Sequence, residues 1–301
     1  MNKQIRNSVL LAFTATIWGT AFVAQSVGID ALGPFTFNAI RCLIGGLFLI
    51  PCIYLLRKIN QAKNKAGGNR VLNRRVLLGG ILCGIVFALA TNLQSYGLKY
   101  TTVGKAGFIT SSYIVIVPLL GLFLKKKVGF RIWSAVGIAM TGLYLLCIGD
   151  DFTIGTGDLF VMLSAIMFSV HILVIDHFAC NVDGVVMSCI QFLVCGVLSC
   201  VPAMFETVTL ADLQAGAVPL AYAGILSCGV AYTLQIIGQQ DMDPAIAALI
   251  LSLESCISVL AGWLLLSEVL SMKEGIGCVL MFMAIVIAQL PQKANALKLE
   301  G

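Results

Sequence analysis

The sequence predicts an all-α integral membrane protein with ten transmembrane helices, arranged as two inverted-topology five-helix repeats. Three observations lead there: an apolar composition, ten stretches long enough to cross a bilayer, and a self-similarity between the two halves. The chain of 301 residues is 59% hydrophobic and 11% charged, with a mean hydropathy of +0.98. Soluble domains carry about 25% charged residues. Polar surface is too scarce to cover this chain in water, so lipid has to cover most of it.

A spanning helix needs roughly 20 mostly apolar residues, because the hydrocarbon layer is about 30 Å thick and a helix rises about 1.5 Å per residue. Ten windows meet that requirement: 7–27, 36–56, 77–97, 104–124, 131–149, 155–176, 184–203, 218–237, 245–266 and 272–290. Little chain is left for a soluble domain. The first window follows Lys3 and Arg6, as in a secretory signal, but it is too long for one and nine more windows follow, so it reads as a retained helix.

Lys and Arg accumulate on cytoplasmic loops. With the N-terminus inside, that face receives Lys3, Arg6, seven basic residues from Arg57 to Arg75, Lys125 to Lys127, Arg131, Lys293 and Lys298. The opposite face receives chiefly Lys99 and Lys273, beside Asp30, Asp150, Asp151, Glu206, Asp212 and Glu274. Both termini are thus expected in the cytoplasm, the chain being multi-pass in the cell (inner or plasma) membrane. The basic run 57–75 reads as a topology signal beside anionic lipid, in preference to a nucleic-acid patch, so no nucleic-acid partner is expected. Eleven cysteines lie almost wholly within the windows, without a CxxC pair or a Cys/His cluster. They indicate small packing residues, and no metal site, cofactor or disulfide framework is expected.

Shifting the chain by 150 residues lays 11–52 on 161–202 without a gap, so that Ala15 meets Ala165, Trp18 meets Phe168, Arg41 meets Gln191, Leu43 meets Leu193 and Gly46 meets Gly196. A shift of 141 lays 92–127 on 233–268, pairing Gln94 with Gln235, Gly97 with Gly238, Ser111 with Ser252 and Gly121 with Gly262. The difference of nine falls in the basic loop of the first half, where a length change costs little. This divides the chain into repeats 1–149 and 150–301. An odd number of spans per repeat forces the second to insert upside down. Two such halves can exchange packings and expose a central site to each side in turn, which favours a transporter over a receptor or an enzyme.

These residues also resemble a known family, the EamA-type members of the drug/metabolite transporter superfamily. The carriers are Ile17-Trp18-Gly19-Thr20-Ala21-Phe22, Arg41, Leu93-Gln94 with Gly97, Pro118, and Leu266-Ser267-Glu268. The acidic residue that the family places after each repeat's fourth helix is present as Glu268, whereas the first half carries Lys127. The resemblance implies ten helices in two inverted halves and a central cavity formed by helices one, three, four, six, eight and nine. It also implies amino acids or related metabolites as substrates, often exported.

An ionisable group at the bilayer centre costs about 2.5–3.5 kcal/mol or more, so it has to face a partner or a cavity. Glu254 leads the site candidates: it lies about nine residues into window nine, roughly 14 Å deep, where a carboxylate cannot reach the surface. On its helix, Ala247, Leu251, Glu254, Ser255, Ser258 and Gly262 fall on one stripe; in window four the same stripe carries Ala106, Thr110, Tyr113, Val117 and Gly121, making Tyr113 the counterpart of Glu254. Such small residues also serve tight helix packing. Arg41 either snorkels to the interface or points inward, to balance Glu254 or grip a substrate carboxylate. His171 is either a proton relay or a hydrogen-bonded packing residue. Trp18, Asn92, Gln94, Tyr96, Tyr232 and Gln235 complete the polar or aromatic set, with Gln94 and Gln235 also suited to gates near opposite surfaces.

The expected activity is secondary transport of a small polar or amphipathic metabolite by alternating access, with a proton as a coupling ion if Glu254 titrates during the cycle. The expected partners are a small-molecule substrate and the lipid bilayer, the protein being a monomer or a homodimer. A channel-like facilitator is the nearest alternative, and an intramembrane enzyme a more distant one: there is no P-loop and no HExxH, and Gly149-Asp150-Asp151 has no second mid-membrane aspartate to form a dyad.

Overall fold

The computed structural model of the protein describes residues 3–62, 73–101, 103–126, 128–147, 155–180, 182–257, 260 and 272–290. Among these, every regular element is helical. In chain order they are α1 (Lys3–Leu32), α2 (Pro34–Ala62), α3 (Arg74–Leu98), α4 (Val103–Ser111), α5 (Tyr113–Phe123), α6 (Phe130–Cys147), α7 (Thr156–Phe178), α8 (Gly184–Ala203), α9 (Leu210–Ala215), α10 (Ala217–Ala221), a π-helical stretch (Tyr222–Tyr232), α11 (Thr233–Gly238), α12 (Pro244–Leu251) and α13 (Met272–Gln289). Helix is the form expected where no water is at hand to satisfy the backbone.

Seven spans are long and apolar enough to cross a membrane among the described residues: Lys3–Leu32, Pro34–Ile59, Arg74–Leu98, Ala106–Phe123, Thr156–Phe178, Gly184–Ala203 and Ala217–Gly238. They occupy seven of the ten predicted windows. Shorter apolar helices, Phe130–Leu145, Pro244–Ile257 and Gly275–Gln289, occupy the other three. The later part of window nine, with Ser258, Gly262 and Leu266-Ser267-Glu268, lies outside the described residues, as do Lys127 and Gly149-Asp150-Asp151. Large apolar side chains such as Leu47, Leu89, Phe123, Val197 and Phe282 point outward, while Ala, Gly, Ser and Cys are common inside. That is the distribution of a lipid-coated bundle, in which close approach of small residues holds helices together.

Polar groups at the helix ends satisfy the first N–H donors. Asn73 accepts from the Val76 amide at the start of α3, Asp183 from those of Val185 and Val186 at α8, and Asp243 from that of Ala245 at α12. The α1–α2 corner turns on Gly33 at φ +81°, where glycine alone is unstrained. Glu206 caps α2 from across the bundle, accepting the Phe35 and Thr36 amides at 3.1 and 2.6 Å.

Three windows are not single regular helices. Window four breaks at Ser112, whose hydroxyl donates to the Ile109 carbonyl, and window nine breaks at Ser252, whose hydroxyl donates to the Leu249 carbonyl. Such back-bonding competes with the helical ladder. Window eight contains the π-helical stretch, an i→i+5 arrangement that fits extra residues into the same length of helix.

The helices pack through glycine contacts that come in matched pairs. A Cβ at Gly46 would meet Leu193, and one at Gly196 would meet Leu43, joining α2 and α8 reciprocally. Gly84 of α3 faces Val194 and the Gln191 carbonyl, while Gly224 of the π stretch faces Ile44 and the Arg41 carbonyl. Gly97 faces Val161 and the Gly157 carbonyl, while Gly238 faces Leu11 and the Asn7 carbonyl. In every pair the α2/α8 or α1/α7 partners differ by 150 in number. The glycines of the third set differ by 141 and those of the second by 140, so one additional residue lies between Gly224 and Gly238, where the π helix is.

A Cβ at Gly97 would stand 2.8 Å from the Gly157 carbonyl oxygen, and backbone cannot yield as a side-chain tip does. Overpacking of this kind costs about 1–3 kcal/mol, so Gly97→Val is expected to lower the melting temperature in detergent by on the order of 5 °C. Gly137→Ala, at a position with open space around it, is expected to leave it unchanged.

Candidate functional site

A cavity of about 50 Å³ lies inside the bundle. Its wall is assembled from helical spacings. Trp18, Ala21, Phe22 and Gln25 fall at i, i+3, i+4 and i+7 on α1, and Phe168, His171 and Ile172 at i, i+3 and i+4 on α7. Thr110 and Tyr113 flank the break between α4 and α5, and Leu251 and Glu254 flank the break after α12. Ser227 and Tyr232 are five apart on the π stretch, a spacing that a π turn brings to one side and an α turn does not. Arg41 of α2, Gln94 of α3 and Gln235 of α11 complete it.

Glu254 is 5% exposed, and its Oε1 accepts a hydrogen bond from the Tyr113 hydroxyl at 3.1 Å. The two positions matched by the shift of 141 thus touch each other. Arg41 is 3% exposed and points inward, so snorkelling is set aside. Its Nε donates to Asn38 Oδ1 at 2.9 Å and its Nη1 to Gln25 Oε1 at 3.3 Å, and its guanidinium carbon stands 5.7 Å from the centre of the Phe37 ring. Among the described residues neither Arg41 nor Glu254 takes part in an ion pair; those present are Lys3–Asp241 and Lys126–Asp176. The expected balancing of Arg41 by Glu254 is therefore not a direct salt bridge. The cavity presents a guanidinium and a carboxyl group, each anchored by neutral partners.

Around them are Trp18 and Tyr232, with ring centres 4.3 Å apart, and Phe87, which packs on Tyr232 at 4.6 Å and on His171 at 5.3 Å. His171 shares a hydrogen bond of 2.9 Å with Gln191, the residue matched to Arg41 by the shift of 150. Gln94 donates to Thr110 at 3.1 Å. Trp18 Nε1, a donor, and Gln235 Oε1, an acceptor, are buried without a partner among the described residues. Unpaired buried groups of that kind cost about 1–3 kcal/mol each, a cost that a ligand bearing the complementary groups relieves.

Nine of the twelve candidates chosen from sequence line this cavity: Trp18, Arg41, Gln94, Thr110, Tyr113, His171, Tyr232, Gln235 and Glu254; Ser255 is off its wall, bonded to Ser111 at 2.8 Å. Asn92 turns away. It bonds Asn38 and Ser199 and borders a separate apolar groove with Tyr96, because residues two apart on an α-helix, such as Asn92 and Gln94, face opposite sides. Ser258 lies outside the described residues. Gln25, Phe168, Phe22 and Ser227 line the cavity unanticipated. Gln25 stands seven residues after Trp18 and Phe168 is the repeat match of Trp18, so both left a signal in the sequence.

Beyond the cavity at either end, helix crossings draw the bundle together. At one end α3 meets α7 through Gly97 and Gly157, with the Thr101 hydroxyl bonded to Asp158. At the other, α11 meets α1 through Gly238 and Leu11; Asn7 Nδ2 donates to the Gln240 carbonyl at 2.7 Å, and Lys3 pairs with Asp241. Lys3 holds the Asp241 carboxyl below the usual carboxylate range, so this surface pair persists at neutral pH and is lost as pH falls through that lowered value.

Known proteins share this architecture. A family profile described as the EamA-like transporter family matches the chain twice in tandem, at residues 6–148 and 155–289. A protein named as an uncharacterized transporter from Archaeoglobus fulgidus is 29% identical over 289 residues, 96% of this chain and 87% of its own. The uncharacterized transporter YwfM of Bacillus subtilis is 25% identical, covering 95% of each chain, and the uncharacterized inner membrane transporter YedA of Escherichia coli K12 is 21% identical, covering 91% of this chain and 87% of its own. A solved crystal structure superposes with a TM-score of 0.74 over 94% of this chain and 96% of its own at 20% identity, which establishes the fold alone. With the family profile spanning nearly the whole chain and the helices of membrane length, this is a multi-pass membrane transporter belonging to the EamA-like transporter family.

Proposed function

We propose that the protein is a secondary transporter that moves a small metabolite bearing both a carboxylate and an amino group, such as an amino acid, probing each side of the membrane in turn and working as an exporter. The observation that carries this reading is a central cavity holding Arg41 and Glu254 without pairing them. A guanidinium binds a carboxylate through two parallel hydrogen bonds, and a carboxyl group takes an ammonium or a proton. The surrounding Trp18, Phe168 and Tyr232 suit an apolar side group.

Ten spans in two inverted repeats, 1–149 and 150–301, are the architecture proposed for this cycle. The reciprocal glycine contacts support it, as do the helix breaks at Ser112 and Ser252 and the direct contact of Tyr113 with Glu254. The two end closures also correspond, Gly97 with Gly238 and Val161 with Leu11. They lie at opposite ends of the bundle, since α1 begins at one closure and its last turns pack with Leu98 and Val161 at the other. Opening one while the other holds exposes the cavity to one side at a time. The gathering of Lys3, Arg6, Arg74, Arg75, Lys126 and Arg131 at the end with the α1 N-terminus supports a cytoplasmic position for that end and, on this reading, for both termini.

Thermal stabilisation of the purified protein by a library of amino acids and related metabolites is expected to identify the substrate, because bound ligand raises apparent stability. Arg41→Lys is expected to weaken that binding by about tenfold or more, since a lysine ammonium cannot make the paired contact; undiminished stabilisation removes the carboxylate from Arg41. In proteoliposomes the reduced protein is expected to show trans-stimulated exchange of the bound solute, whereas a facilitator pore gives none. Glu254→Gln is expected to abolish accumulation driven by a pH gradient; unchanged accumulation ends proton coupling at this residue.

A further inference from the structure

The α2–α8 contact contains a pair of thiols outside the transport cavity. Cys42 and Cys195 are each fully buried, and their sulfurs are 3.4 Å apart. Asn38 Oδ1 is 3.9 Å from Cys42, the hydroxyls of Thr91 and Ser199 are each 3.9 Å from Cys195, and Cys228 is a further thiol partner of Cys42. Of the hydrogen-bond partners of Cys195, the Cys42 thiol stands nearest. Closing the gap to a disulfide of about 2.05 Å takes a movement of little more than 1 Å. The reciprocal glycines fix the neighbourhood, Gly46 against Leu193 and Gly196 against Leu43, and Cys228 lies beside the same interface, against Gly45.

We propose that Cys42 and Cys195 are a reversible dithiol–disulfide site that staples the first half of the chain to the second. Hydrogen peroxide, a two-electron oxidant about the size of water, supplies the chemistry. One thiol attacks the peroxide to give a sulfenic acid and water, and the second thiol displaces hydroxide from that sulfur to give the disulfide and a second water. The two sulfurs together lose two electrons and two protons, and both oxygens of the peroxide leave as water. Arg41, the residue before Cys42 in α2, lines the cavity, while both sulfurs are buried, so the peroxide reaches them as the packing around α2 opens transiently. Because α2 and α8 belong to different halves, the bond ties together the bodies that must shift if access alternates. Oxidation therefore arrests the cycle, a consequence that rests on the transport reading above, whereas the bond itself does not.

The test treats the full-length protein in lipid nanodiscs with hydrogen peroxide, blocks remaining thiols with N-ethylmaleimide in denaturant, and maps linked peptides without reductant. The expected result is a dominant Cys42–Cys195 peptide that dithiothreitol removes. Cys195→Ala and Cys42→Ser are each expected to abolish it, and the wild-type map decides the matter even if one variant folds poorly. Absence of the linked peptide, or linkage of Cys42 to Cys228 in its place, overturns the site. Hydrogen–deuterium exchange reads the arrest without any substrate: oxidised wild type is expected to exchange about tenfold more slowly than reduced protein in peptides covering 95–101 and 235–243, with no oxidation effect in Cys195→Ala. A bond that forms without slowing either closure overturns the switch and leaves the transporter reading in place.

Discussion

Two ionisable groups lie within the hydrocarbon layer and do not neutralise each other, and the rest of the structure answers to that constraint. Each costs about 2.5–3.5 kcal/mol or more to place there without help. Arg41 is compensated by the carbonyl oxygens of the Asn38 and Gln25 side chains, and Glu254 by the Tyr113 hydroxyl. Neutral hydrogen-bond partners hold each group in place.

Bringing that many helices around one polar space requires close approach, and in lipid no hydrophobic force pulls helices together. Gly46, Gly84, Gly97, Gly196, Gly224 and Gly238 provide it, each seated on a side chain or carbonyl of a neighbouring helix. The serine-centred breaks at Ser112 and Ser252 then release the helical geometry beside the cavity, between Thr110 and Tyr113 and between Leu251 and Glu254. Tight glycine crossings and loosened serine turns alternate along the same path.

The bundle was readable in the sequence because lipid imposes length and hydropathy on every span. Glu254 and Arg41 were readable because a charge in an apolar window stands out, and Tyr113 because it matched Glu254 in register. Which way a polar residue faces was less legible. Asn92 stands two residues from Gln94, and that spacing alone places them on opposite sides of α3. Gln25 could have been found by following Trp18 seven residues along the same face. Ser227 could not be joined to Tyr232 by any α-helical pattern, because the interval of five belongs to a π turn that nothing in the composition of Tyr222–Tyr232 announces.

That π turn has a wider reach than its own length. One extra residue in an ordinary α-helix would turn everything after it by about 100°; the π turn within Tyr222–Tyr232 takes up that residue instead. Gln235 therefore keeps its place on the cavity wall and Gly238 its seat on Leu11, as Gln94 and Gly97 do on the regular α3. The π turn thus works as a phase adjustment, keeping pocket and crossing in step along one rod despite a surplus amino acid.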